Sequence, residues 1–172
     1  MTPTSRTIHK ENTRPLVIAG TLLGLGMGGF VDGILFHQIL QLHNMLSNWV
    51  IRDSLVNEQI NMFWDGLFHA FTYTCVVLGL IFLWRAIKRP GVLLSGKALW
   101  GAILFGAGLF NFVEGTIDHE ILQVHHVVQN GNHLLWDMVF LASGPLLMAV
   151  GWALISRGFI ETVTSPVDRG AS

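Results

Sequence analysis

Four long apolar runs dominate this chain: Pro15 to Leu40, Met62 to Trp84, Ala98 to about Ile117, and about Leu134 to Ile155. A helix needs roughly 20 residues, at ~1.5 Å per residue, to cross ~30 Å of hydrocarbon. Only helices and closed barrels satisfy every backbone polar group there, and runs of this length exclude barrel strands. The predicted fold is therefore all-α, a four-transmembrane-helix bundle. Charged residues make up 12% of the 172 and mean hydropathy is +0.53. A soluble domain carries about 25% charged residues. The first run is too long for a cleaved signal and lacks a small-x-small site before a polar start, so it is read as a retained helix. No basic stripe interleaved with aromatics occurs, which argues against nucleic acid as a partner. The single cysteine, Cys75, excludes an intramolecular disulfide and a cysteine cluster, and its apolar surroundings assign it to packing.

The cations orient the bundle. Arg6, Lys10 and Arg14 precede the first run; Arg85, Lys88, Arg89 and Lys97 separate the second and third; Arg157 and Arg169 follow the fourth; only Arg52 lies on the other side. By the positive-inside rule both termini are cytoplasmic. The expected organisation is a cytoplasmic tail (1–15), a membrane domain (16–156) and a second cytoplasmic tail (157–172).

The chain also repeats itself. Residues 24–43, GLGMGGFVDGILFHQILQLH, and 106–125, GAGLFNFVEGTIDHEILQVH, are identical at ten of twenty positions. Asp32 aligns with Glu114, His37 with His119 and His43 with His125. Trp64-Asp65, Phe68 and Gly79 find echoes in Trp136-Asp137, Phe140 and Gly151. These matches predict two tandem helical hairpins, 16–88 and 98–156, in the same orientation. Small residues in the first and third runs predict close helix approach.

Seven of the eight histidines fall in or beside the two loops opposite the cations, and each run brings a carboxylate to that same end. A carboxylate deep in a bilayer costs about 2.5–3.5 kcal/mol, so four of them must pair or bind cations. Helical bundles build metal sites from such inward-facing groups. The candidate ligands are Asp32, His37, His43, Asp65, His69, Glu114, His119, His125, His126, His133 and Asp137, with Asp118 orienting a ligand histidine. Asp65 with His69, and His133 with Asp137, are four apart and share a helix face. Asp32 and His37 are five apart, about 140° around an ideal helix, so both reach one centre only if the helix is distorted; Gly33 and Gly115 stand where a kink or bulge would act.

The motifs GGFVDGILFHQILQLH, NMFWDGLFHAF and FNFVEGTIDHEILQVHH resemble a bacterial family of predicted four-helix membrane proteins known only as a domain of unknown function. The resemblance covers nearly all of residues 16–156 and implies a membrane location, but no activity; the expected membrane is the bacterial cytoplasmic one. The residues themselves point to a metalloprotein with two or more transition-metal ions near the extracytoplasmic face. Mixed imidazole and carboxylate donors favour iron or copper, and zinc fits as well. The expected chemistry is redox, on oxygen or a small apolar substrate arriving from the bilayer. Two other readings stand beside it: a metal-handling protein (chaperone, sensor or transporter), and a metal-free structural subunit of a respiratory complex, with other membrane subunits or copies of itself as partners.

Overall fold

The computed structural model describes residues 12–129 and 131–164. Arg6, Lys10 and Arg169, which the orientation argument uses, lie outside them. Helix α1 spans Arg14–Phe30 and runs on as a π-helical segment, Val31–Ile39. Helix α2 spans Leu55–Lys88. Helix α3 spans Gly96–Glu114 and continues as a second π-helical segment, Gly115–Ile121. Helix α4 spans His133–Thr164. Four stretches are long and apolar enough to cross a membrane: Arg14–Ile39, Leu55–Lys88, Gly96–Ile121 and His133–Glu161. The all-α bundle of four long apolar helices is as expected.

The helix starts follow from local chemistry. Pro15 sits in the first turn of α1, where its missing N–H costs nothing. Ser54 accepts from the Asn57 amide at 3.3 Å and caps α2, and Ser95 accepts from the Ala98 amide at 3.3 Å and caps α3. The Ser54 cap starts α2 at Leu55 rather than Met62. Leu55 and Val56 lie in its first turn.

Helix α1 packs against α2 and α3, and α3 packs against α4. Backbone meets backbone at these contacts. A Cβ on Gly24 would overlap the carbonyl of Ile103, and one on Gly106 would overlap that of Thr21. Gly101 and Gly151 face each other in the same way across α3 and α4, where a Cβ on Gly101 would lie 2.6 Å from the Gly151 carbonyl oxygen. Dispersion at such close approach holds helices together where lipid removes the hydrophobic drive.

The outside is apolar, with Leu67, Phe71, Trp100, Leu146 and Trp152 all exposed. Trp84, Trp100 and Trp152 lie toward one end and Trp49, Trp64 and Trp136 toward the other, as interfacial anchors do. Beneath the second end, Phe110, Val127 and Phe140 form a core cluster with Phe68, Phe36 and Leu25 packed on it. Above that cluster lies a polar interior.

Candidate metal centre

Two backbone irregularities build the site. In an α-helix, residues five apart diverge by about 140°, but a π-helical turn closes i→i+5 bonds and brings them onto one face. The segment Val31–Ile39 therefore puts His37 Nε2 3.2 Å from Asp32 Oδ2, and Gly115–Ile121 puts His119 Nε2 3.1 Å from Glu114 Oε1. The distortion that the five-residue spacing demands is present in both places. Each π segment then ends in a residue at positive φ, Gln41 (51°) and Gln123 (48°). Non-glycine residues rarely adopt this conformation. It reverses the chain: the Leu42 amide donates to the Phe36 carbonyl and the Val124 amide to the Asp118 carbonyl, each at 2.9 Å. His43 and His125 are thereby folded back under the loops, into the bundle.

The four rings of His37, His43, His119 and His125 form one block, each at most 1% exposed. Ring centroids are 4.3 Å apart for His37 and His43, 4.5 Å for His43 and His125, and 4.8 Å for His119 and His125. Their Nδ1 atoms face outward to fixed acceptors. His43 Nδ1 donates to the Val127 carbonyl at 2.9 Å, and His125 Nδ1 to the Met45 carbonyl at 3.0 Å. His37 Nδ1 donates to Asp65 Oδ1 at 2.9 Å, and His119 Nδ1 faces Asp137 Oδ1 at 3.3 Å. At His43 the acceptor at Nδ1 places the proton there and leaves Nε2 as a lone pair, whereas Nε2 of His37, His119 and His125 faces a carboxylate oxygen. Burial first, then the neighbouring His125 and His37, hold the His43 pKa well below the ordinary histidine value. His43 is thus a neutral imidazole, the form that binds metal.

The two inner carboxylates complete the block. Glu114 Oε1 lies 3.0 Å from His125 Nε2 as well as 3.1 Å from His119 Nε2. Among the described residues, buried atoms are left without a hydrogen-bond partner: Asp32 Oδ1, Glu114 Oε2, Nε2 of His37 and His43, both ring nitrogens of His119, and Gln129 Nε2 outside the block. Native interiors satisfy nearly all such atoms, so a concentration of orphans calls for a cause. Donor atoms of His37, His43 and His125 lie within 4.8 Å of one another, and so do those of Glu114, His119 and His125; both triads are buried and could hold a metal ion.

Asp65 and Asp137 stand behind the rings rather than among the lone pairs. Asp65 accepts from the Met45 amide at 2.8 Å, Gln38 Nε2 at 3.1 Å and Asn44 Nδ2, besides His37. Asp137 accepts from the Val127 amide at 2.9 Å and from His126 Nδ1 at 2.7 Å. The structure does not bring His69 and His133 into the block. His69 donates to the backbone carbonyl of Asp65, one turn earlier in its own helix, and His133 is exposed and stacked on His126. Asp118 lies half-buried at the edge. Sequence reasoning missed Asn44 and the carbonyls of Met45 and Val127. The signal was available for Asn44, which follows His43 as His126 follows His125.

A model of the family described as "Predicted membrane protein (DUF2243)" matches residues 19–158. The chain belongs to that family and is a multi-pass membrane protein. No curated protein matches it, and no solved structure does.

Proposed function

We propose that this member of the DUF2243 family is a membrane metalloprotein holding a pair of transition-metal ions. One ion takes His37 and His43, with Asp32 against His37 and His125 within reach; the other takes Glu114, His119 and His125. The observation that carries this reading is the set of unpartnered buried atoms, Asp32 Oδ1, Glu114 Oε2 and Nε2 of His37, His43 and His119, gathered around two buried triads while Nδ1 of His37, His43 and His125 is tied down. Acceptor atoms 3.0–3.2 Å apart are separated as two ligands on a single ion are, given metal–nitrogen and metal–oxygen bonds of ~2.0–2.2 Å.

Charge supports two ions. Asp32, Asp65, Glu114 and Asp137 are all buried with His37 and His119 each between two of them, and two divalent cations that displace the ring protons would balance the four carboxylates. Unbalanced, such charges cost several kcal/mol each. The Glu114, His119 and His125 triad, two histidines and one carboxylate, is the donor set of non-haem iron sites. That donor set supports redox chemistry as the function. Asp65, Asp137 and the Met45 and Val127 carbonyls orient the ligand rings, as outer partners of metal-bound histidines do. The backbone contacts at Gly24, Gly106, Gly101 and Gly151 favour a resident ion over a transported one.

The finer architecture belongs to the same proposal. The contacts of His43 and His125, of Asp65 and Asp137, and of Gln41 and Gln123 correspond at the sequence offsets of the repeat, which supports two tandem hairpins from a duplication. The cations Arg85, Lys88, Arg89 and Lys97 lie at the end opposite the histidines, which supports an extracytoplasmic site in a bacterial cytoplasmic membrane.

The test is elemental analysis of detergent-purified protein, wild type against His43→Ala combined with His125→Ala. Two equivalents of iron or copper, absent from the variant, are expected. Stoichiometric zinc would keep the site and remove the redox part. Metal-free protein purified without chelator would refute the centre itself.

A further inference from the structure

Two lateral clefts lead from the lipid-facing surface to the block, one on each side. The first lies between α2 and α3, has a volume of about 420 Å³ and ends at Glu114 and Asp118. The second lies between α4 and α1, has a volume of about 370 Å³ and ends at Asp32. Ten of the twelve lining positions of each correspond along the repeat, but the residues have diverged. In the first, Trp64, Phe68, Phe71 and Phe110 supply aromatic walls. In the second, Gly28 and Ser143 stand where Phe110 and Phe71 do, and Phe36 occupies the place of Asp118. The polar pair in the second cleft is self-satisfied, since Asn111 Nδ2 donates to Ser143 Oγ at 2.8 Å.

We infer that the α2/α3 cleft binds a lipid-soluble aromatic alcohol of the hydroquinone class, ring among the aromatic walls and hydroxyl against Glu114. The inference deepens the metal-centre reading, because Glu114 also faces His119 and His125. Glu114 is 6% exposed, lines the cleft and keeps its Oε2 without a partner. An ionised carboxylate only accepts hydrogen bonds. A pure hydrocarbon or a gas would leave that oxygen unsatisfied, whereas an O–H would satisfy it. Offset or edge-on ring contacts with Trp64 and Phe68 suit a flat aromatic head better than an alkyl chain. Exposed Leu67, Phe71, Val113 and Ile117 at the mouth make the approach from the acyl-chain region continuous with the cleft.

The repeat supplies a matched control. Val113 lines the first cleft and Val31 the second, at equivalent positions, and both are well exposed. A decyl-substituted hydroquinone is titrated into the protein as purified in lipid nanodiscs, with metal content measured on the same samples. Wild type should bind it saturably. Val113→Trp should weaken binding about tenfold or more and Val31→Trp hardly at all. Leu67→Trp, from the opposite wall, should repeat the Val113→Trp result if that variant fails to fold. Equal losses from Val113→Trp and Val31→Trp, or no saturable binding to wild type that carries its metal, would overturn the inference. Tighter binding of decylamine than of the hydroquinone would overturn it too, in favour of an ammonium head. Hydroquinone binding to protein that holds no metal would refute the metal centre and leave this cleft assignment standing.

Discussion

Replacing Asp32 and Asp65 by asparagine should move the stability of metal-free protein in opposite directions. Both carboxylates are buried and both touch His37, so a simple hydrogen-bond network would treat them alike. Their surroundings differ. Asp65 is an acceptor for His37 Nδ1, Gln38, Asn44 and the Met45 amide. Asparagine presents an NH₂ group to some of those donors and leaves them unpaired. A hydrogen bond to a charged group is worth about 1.5–3 kcal/mol, and breaking a buried charged network costs about 3–5 kcal/mol. Asp65→Asn should therefore destabilise the chelated protein by roughly that amount. Among the described residues the one short polar contact of Asp32 is His37 Nε2 at 3.2 Å, and its Oδ1 has no hydrogen-bond partner. Removing its charge relieves an uncompensated burial, a gain of about 1–3 kcal/mol in metal-free protein. The same change removes the carboxylate placed beside the ion, so metal should then add little. A bound ion stabilises by ~2.7 kcal/mol at 100 times its Kd, and Asp32→Asn should forfeit most of that. The assay is unfolding in detergent followed by helix signal, with chelator and with metal restored. If Asp32→Asn lowers the chelated stability as much as Asp65→Asn does, Asp32 is an ordinary hydrogen-bonded side chain and its assignment to the centre fails.

Three further outcomes follow from the same geometry. His69→Ala and His133→Ala, singly or together, should leave metal content unchanged, since neither ring enters the block; loss of metal in elemental analysis would show that the site rearranges on loading. Asp137→Asn should weaken metal binding about 10–100-fold without abolishing it, as removal of an orienting partner does, and a competition titration with a chromogenic chelator would expose a complete loss. Gly106→Leu should cost more than the ~1–3 kcal/mol usual for overpacking, because its Cβ meets the Thr21 backbone carbonyl rather than a movable side chain; Gly66→Ala, with nothing within 4 Å of the added carbon, should gain about 0.5–1 kcal/mol, and equal unfolding midpoints for the two would contradict the packing described here.

Much of the site could be read from the sequence, and the reason is the membrane. In hydrocarbon, an ionisable residue has so few acceptable surroundings that Asp32, His37, Glu114 and His119 declare themselves as interior groups from their positions in apolar runs. The five-residue spacing also required a helix distortion, and the π-helical segments begin at Val31 and Gly115, at or beside the glycines suspected of allowing it. His69 and His133 lie outside the block for a physical reason. A four-residue spacing shows that two groups share a helix face, but not that both reach the same neighbour. Asp65 reaches across to His37, while His69, one turn deeper, is taken up by its own helix's carbonyl.

The helical class, the four spans and the end of the bundle where the polar groups gather were determined by the sequence alone, because length and hydropathy leave the backbone no other way to satisfy itself in lipid. Which atom of each histidine is free was decided only by tertiary structure. That choice rests on the Val127 carbonyl reaching His43, the Met45 carbonyl reaching His125 and Asp65 reaching His37. A ring nitrogen's role is set by whatever accepts from the other nitrogen, and those acceptors lie 28 to 84 residues away along the chain, brought close only when the loops fold back over the helices.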